Sequence, residues 1–215
     1  MKMLYSILIF LCLFILSCRE DSKNNQHADN LITQPVLDKQ DYMDWCKKKG
    51  GSLKKTKELE DITFSLNYKP AELIACIEEV TDKAKPDDLE KNIDELDGLD
   101  YYDFKIQITS GMGELLKYQV ASSSDYDNRV TYCAFGIEKD IKMVEGNDTI
   151  SCALFHFERA YDVVPYATFL VAFPKSKTPF AERTFIYEDK IFNKGIIKFT
   201  YTQEDLSQIP KMKTI

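Results

Sequence analysis

Histidine is almost missing from this chain: His27 and His156 are the two among 215 residues, beside one tryptophan and eight glycines. His27 sits in a polar stretch, so a metal or acid–base centre built on imidazole would rest on His156. No Cys-x-x-Cys pair occurs, which removes the common zinc and thioredoxin-like arrangements. No Gly-x-Ser-x-Gly elbow is there to raise a nucleophilic serine. Gly111-Met112-Gly113 is too short to cradle a phosphate and lacks the Lys-Ser/Thr that completes a P-loop. Positive charge is scarce as well: 28 basic against 35 acidic residues give a formal charge of −7. That balance argues against a nucleic-acid partner. The longest apolar run, Leu4 to Leu16, is 13 residues with Tyr5 and Ser6 inside it. A spanning helix needs about 20.

What the amino terminus does have is Lys2, that apolar run, and then Ile15-Leu16-Ser17-Cys18. A short positive start followed by an apolar run of this length reads as an export signal and not as a membrane span. The aliphatic residue three before the cysteine and the small Ser17 just before it resemble the lipobox of bacterial lipoproteins. The resemblance implies a signal peptide over residues 1–17, cleavage between Ser17 and Cys18, and a diacylglyceryl group on the Cys18 sulfur. The membrane partner is then reached through acyl chains on Cys18. Each buried methylene contributes about 0.8 kcal/mol, so two or three chains anchor stably. Arg19-Glu20-Asp21 resembles the acidic surface-export signal of Bacteroidota lipoproteins, and no Asp directly follows Cys18. The implied address is the outer membrane, with the cell surface favoured over the periplasmic face.

Without residues 1–17 the chain has 198 residues, 27 basic and 35 acidic, for a formal charge of −8. Residues 18–37 read as a flexible tether; its nineteen residues after Cys18 reach roughly 25 Å on an r.m.s. basis. Residues 38–215 read as one globular domain, and 13 Phe and 12 Tyr give it material for a core. Tyr42, Trp45 and Cys46 have helical spacing, with Asp38 or Asp41 to cap the start and Gly50-Gly51 to end it. Ile62, Phe64, Leu66 and Tyr68 alternate with polar residues and predict a strand. Pro70 opens a helix with Leu73, Ile74, Ile77 and Val80 on one side, and Pro86 opens another with Leu89, Ile93 and Leu96, stopped by Gly98. Tyr102, Phe104, Ile106 and Ile108 predict a second strand. Residues 110–128 are broken by Gly111 and Gly113, and Ser122-Ser123-Ser124-Asp125 is a loop signal. From Val130 onward the pattern predicts strands over 130–137, 140–144, 149–158, 166–173, 184–188 and 196–202. Phe169 to Phe173 is apolar on both faces, as in a central strand. Connections are short, so pairing is antiparallel. The expected class is α+β: N-terminal helices with a mainly antiparallel β-sheet or sandwich in the C-terminal half.

Cys46, Cys76, Cys133 and Cys152 follow Cys18. An even number in an oxidising compartment suggests disulfides. If Glu138-Lys139 and Gly146-Asn147 are both two-residue turns, Cys133 and Cys152 point to opposite faces, so a bond between them is not expected. A Cys46–Cys76 disulfide stays open, and so does a state in which all four are buried thiols.

Among candidate sites, His156, Glu158 and Arg159 form a polar cluster in Phe155-His156-Phe157-Glu158-Arg159, with His156 and Glu158 on one strand face. A sheet-edge structural cluster explains it better than an acid–base pair or a metal site. Lysines 47, 48, 49, 54, 55 and 57, near Trp45, could touch anionic lipid or surface polysaccharide, although a solvated helix end and loop explains them too. The acidic stretch from Asp87 to Asp103 fails as a calcium loop: aligning Gly98 with the EF-hand glycine puts Ile93 and Phe104 at ligand positions. Ser122 to Ser124, Asp125 and His156 form a triad only on paper. Asp148-Thr149-Ile150 resembles the short O-glycosylation acceptor of Bacteroidota, at what is also a plain turn-to-strand junction. Neither a cofactor nor a metal is expected. Phe157-Glu158-Arg159, Pro165-Tyr166 and Ile209-Pro210 resemble uncharacterised Bacteroidota lipoproteins, a resemblance that implies no activity. The expected role is a lipid-anchored module that binds an envelope protein or polysaccharide. The alternatives are an envelope hydrolase using carboxylates or His156 with Glu158, and a carrier with an apolar cavity in its β region.

Overall fold

The computed structural model describes residues 34–48, 53–82, 89–159, 164–176 and 182–213. Along the chain come β1 (Val36–Leu37), α1 (Lys39–Lys48), β2 (Lys54–Leu59), β3 (Ile62–Lys69), α2 (Ala71–Asp82), α3 (Leu89–Leu96) and β4 (Leu99–Ile108). A 3-10 turn at Leu115–Lys117 leads into α4 (Ser123–Phe135), and another at Ile137–Asp140 leads out of it. Then follow β5 (Ile141–Glu145), β6 (Asp148–Ser151), β7 (Leu154–Glu158), β8 (Tyr166–Pro174), β9 (Glu182–Asp189), β10 (Gly195–Thr202), α5 (Gln203–Ser207) and β11 (Lys211–Met212).

The period-two pattern of β3 and β4 sets the architecture. Ile62, Phe64 and Leu66 face inward with Tyr102, Phe104, Ile106 and Ile108, and all seven are buried. β3 and β4 are the second and third strands of an antiparallel five-stranded sheet ordered β2-β3-β4-β8-β7. A second antiparallel sheet, ordered β10-β9-β5-β6, contributes Ile141, Met143, Phe185, Tyr187, Ile197, Phe199 and Tyr201 to the same core. The result is a sandwich, and the α+β class stands. Phe104 sits at its middle, with ring centroids of Phe185 and Tyr187 at 5.1 Å and of Phe169 at 6.0 Å. Burying a side chain of this size contributes about 3 kcal/mol. Aromatic rings from both sheets pack against one another in this core.

A smaller core lies outside the sandwich. Tyr42, Leu73, Cys76 and Met212 are buried together, with Leu37, Met43, Cys46, Leu89, Ile93 and Ile209 against them. It joins α1, α2, α3 and the parallel β1–β11 pair. That pairing moves one expected boundary: Val36 and Leu37, expected in the tether, lie in register with Lys211 and Met212, with the Lys211 amide donating to Pro35 O and the Lys213 amide to Leu37 O. Residues 1–33, including Ser17 and Cys18, lie outside the described residues, as do Gly50-Gly51, Pro86 and Pro179.

Two strand expectations are corrected. Residues 130–135 are helical, because Ser122 caps α4: its side chain accepts from the Asp125 amide, and its hydroxyl donates to the Asp125 carboxylate. Cys133 then falls on the buried face of α4, with Tyr126 and Val130 packed against the same core, and Ile137 of the following 3-10 turn is buried there too. Residues 149–158 are two strands and not one. The chain leaves the four-stranded sheet at Ser151, passes Cys152-Ala153, and joins the five-stranded sheet at Leu154.

Candidate functional site

The carboxyl ends of β3 and β8 and the start of β4 meet at one end of the sandwich, where Leu99 pairs with Pro174 and Tyr68 with Tyr102. A cleft of about 730 Å³ opens there, within the usual range for small-ligand sites. Tyr68, Asp100, Lys175 and Ser176 supply its polar wall. Pro70, Ala71 and Glu72 come from the start of α2, and Leu206, Ile209, Pro210 and Met212 form an apolar wall from α5 to β11.

A buried charge network backs the polar wall. Arg183 and Asp100 are 1% and 4% exposed. The Arg183 Nη1 pairs with Asp100 Oδ2, its Nη2 donates to Pro174 O at 2.9 Å, and its Nε lies 3.0 Å from Glu145 Oε2. Tyr68 donates its hydroxyl to Asp100 Oδ1 at 3.1 Å, and Ser176 donates to Glu145 Oε1 at 2.5 Å. Lys175 pairs with Asp97 at the rim. Burial pushes the Asp100 carboxyl above its ordinary value, while Arg183 and the Tyr68 hydroxyl pull it back. Burial, with Asp100 adjacent, also holds the Tyr68 hydroxyl in its protonated, donating form. Both Asp100 oxygens are therefore engaged, and Asp97 is held by Lys175. Glu72 is the cleft carboxylate for which the described residues supply no ion-pair partner. The arrangement presents fixed hydrogen-bonding groups beside Glu72.

Of the expected polar cluster, His156 and Glu158 share one strand face, and Arg159 is engaged with Tyr126. His156 and Glu158 are exposed on the outer face of β7, an edge strand of the five-stranded sheet. Phe155 and Phe157 point the other way, toward Phe169. Arg159 departs from both neighbours and donates to the Tyr126 hydroxyl at 3.1 Å. The Cys46–Cys76 disulfide is likewise replaced by free thiols, as are Cys133 and Cys152. Cys46 and Cys76 share the small core, but the Cys76 thiol is directed at Met212 Sδ, 3.4 Å away. Burial pushes the Cys46 thiol up to about 11 and that of Cys133 up to about 12. Lys47 and Lys48 end α1, whereas Lys54, Lys55 and Lys57 lie on β2, a strand that the lysine content concealed. Of the acidic stretch, Asp97, Asp100 and Asp103 each have a cationic partner, Asp103 at 2.6 Å from Lys69. Asp148-Thr149 is exposed and follows a two-residue turn at Gly146-Asn147, as expected. Among the described residues, no cluster of three or more His, Cys, Asp or Glu side chains could hold a metal.

Arg183 was the site residue hardest to anticipate, yet it left a trace. Arg183, Phe185, Tyr187 and Asp189 alternate in phase, and all four are buried. A charge in register with core aromatics signals a paired, buried group.

No family model matches the sequence, and no curated relative matches it. Among solved structures, a DUF4426 family protein from Pseudomonas aeruginosa PAO1 aligns over 73% of this chain and 94% of its own, at 8% identity and a TM-score of 0.36. That likeness carries no inference about fold or activity.

Proposed function

We propose that this protein is a lipid-anchored binding module of the bacterial envelope, tethered through Cys18 at the outer membrane and displayed at the cell surface rather than the periplasmic face. The cleft at the end of the sandwich is its recognition site. One observation carries the reading: the cleft's buried carboxylate, Asp100, is already committed to Arg183 and Tyr68, and behind it the half-buried Glu145 is held by Arg183 and Ser176. Groups locked in this way hold a shape and a hydrogen-bonding pattern, which suits recognition better than turnover. The export signature supports the envelope address, and the run from Lys2 to Cys18 supports the anchor.

The test uses the full-length protein in its native envelope. A photo-crosslinking residue replacing Glu72, at the cleft, is expected to give a discrete adduct. The same residue at Glu158, exposed on β7, is expected to give none. Equal labelling at both positions, or none at Glu72, would remove the cleft from the account. Alkyne-palmitate labelling that is lost in Cys18→Ser, with release of that variant from the membrane fraction, checks the anchor separately.

A further inference from the structure

The outer face of the five-stranded sheet carries a second concavity, separate from the cleft. Its floor is Ser65, Asn67, Asp103 and Lys105 on β3 and β4. Its sides are Cys46, Lys47 and Lys48 at the end of α1, Leu73 and Ile77 on α2, and Lys54 on β2. The groove holds about 450 Å³. Strand alternation explains why these side chains meet there. With Ile62, Phe64 and Leu66 turned into the core, Ser65 and Asn67 face outward, and register places Lys54 beside Asn67 and Lys105 beside Ser65.

Charge is what sets this groove apart. The protein is strongly acidic overall, yet four lysines converge here against one carboxylate, and that one, Asp103, is already held by Lys69. Lys39, Lys55, Lys69, Lys175, Lys190 and Lys194 are each within ion-pair distance of an acid. Among the described residues, Lys47, Lys54 and Lys105 have no such partner, and Lys48 reaches Asp44 at only 3.9 Å across an exposed helix turn. Lys105 is held in place over the Tyr166 ring, 4.0 Å from its centroid. Lys54 and Lys105 lie two strands and two residues apart, about 12 Å between Cα atoms. The floor adds a hydroxyl and an amide: Ser65 is 7% exposed, and neither it nor Asn67 is tied up by a side-chain partner among the described residues. The apolar faces of Leu73 and Ile77 complete one wall.

We propose that this groove binds an acidic polysaccharide, a chain of sugars bearing carboxylate, phosphate or sulfate groups. Lysines pair with its acidic groups as point charges, Ser65 and Asn67 hydrogen-bond its hydroxyls, and the C–H faces of the sugars lie against Leu73 and Ile77. A bilayer surface is the competing partner for a basic patch. The concave shape favours the polymer: a flat array of headgroups meets the rim lysines but does not reach a floor serine that is more than nine-tenths buried. The inference stands on this groove alone and does not depend on the cleft.

The mature protein is titrated with polygalacturonate fragments, with dextran sulfate, with neutral dextran, and with phosphatidylglycerol–phosphatidylethanolamine vesicles. Binding to the acidic polymers and not to neutral dextran is expected, weakening about tenfold as salt rises from about 0.05 M to about 0.5 M. Lys54→Gln with Lys105→Gln is expected to weaken it about tenfold or more, and Asn67→Ala to weaken it severalfold, whereas Lys142→Glu, on the other sheet, leaves it unchanged. Thermal melts confirm that each variant is folded; should the double lysine variant unfold, Lys54→Gln alone supplies the comparison. Vesicle binding without polymer binding, equal sensitivity to Lys142→Glu, or no loss in a folded groove variant would overturn the proposal.

Discussion

Replacing Arg183 by Met tests the buried network at its centre. Methionine keeps much of the side chain's length and removes the charge and all of its donors. Asp100, 4% exposed, then loses its cation, Glu145 loses its Nε contact, and Pro174 O loses a donor. Removing one partner of a buried ion pair costs about 3–5 kcal/mol, because the remaining charge is left without compensation. A domain of this size has a urea m-value of about 2 kcal/mol/M, so the midpoint should fall by about 2 M at pH 7 with m unchanged. Adding Asp100→Asn and Glu145→Gln removes the stranded charges and should restore roughly half of that loss. The pH dependence carries the sign. Burial already raises the Asp100 carboxyl, and Arg183 is one of the groups that lower it. Without Arg183 the folded-state value moves higher still, so the folded variant binds a proton more readily than the unfolded chain. Its stability must therefore increase as pH falls from neutral through that raised value. A midpoint shift below about 0.5 M, a triple variant no more stable than the single one, or no relative recovery of the single variant toward pH 5 would refute the reasoning.

Ser122→Ala removes the cap of α4 and should cost about 1 kcal/mol in urea unfolding, while Ser124→Ala, exposed and not the cap, should cost little. Thiol titration of the domain should find four free cysteines after denaturation, with Cys133 silent and Cys46 slow in the native state at pH 8, since burial keeps both protonated; fewer than four would show a disulfide. Lys194 and the Tyr118 hydroxyl hold the Asp61 carboxyl below its ordinary value. The stability this supplies is present above the unfolded value and lost as pH falls through the folded one, so Lys194→Met should flatten the acid limb of the midpoint–pH curve below about pH 4. Parallel limbs for variant and parent would count against the Asp61 assignment.

Where period-two or helical spacing was clean, the chain announced its own elements. Ile62–Lys69, Leu99–Ile108 and Tyr166–Pro174 became strands, and the helix after Pro70 begins at Ala71. The failures have identifiable causes. Val130 to Phe135 is rich in β-branched and aromatic residues, and that local preference gave way to a capped helix whose core-facing side runs through Tyr126, Val130 and Cys133. β2 is mostly exposed and carries three lysines, so its burial pattern had nothing to show; pairing with β3 makes it a strand. The β1–β11 pair joins residues some 175 positions apart, a contact that no local window contains. The candidate sites were less legible than the fold, because both are assembled from distant segments. Asp100 and Arg183 are 83 residues apart in the chain. The lysines of the groove were visible as a run from 47 to 57, but Ser65, Asn67 and Lys105 entered only through sheet register.

The cleft and the groove share one structural element. Ala71 and Glu72, in the first turn of α2, line the cleft, and Leu73 and Ile77 of the same helix line the groove. Between those positions Leu73 and Cys76 pack with Tyr42 and Met212. Met212 borders the cleft, and Cys46, packed on the same small core, borders the groove. The position of α2 therefore depends on a small core of four buried side chains, outside the aromatic interior of the sandwich. A cavity in that small core should shift both rims together while leaving the sandwich intact, because the cost of a buried truncation falls first on its immediate neighbours. Leu73→Ala is the sharpest such change. It should loosen α2 and weaken ligand capture at Glu72 and polymer binding at Lys54 in the same variant, whereas truncations on the solvent face of β9 or β10 should affect neither. Amide exchange decides the point: faster exchange confined to α1, α2 and β11 supports a shared helical support, and faster exchange spread through β4 and β8 would mean that the small core and the sandwich unfold as one unit.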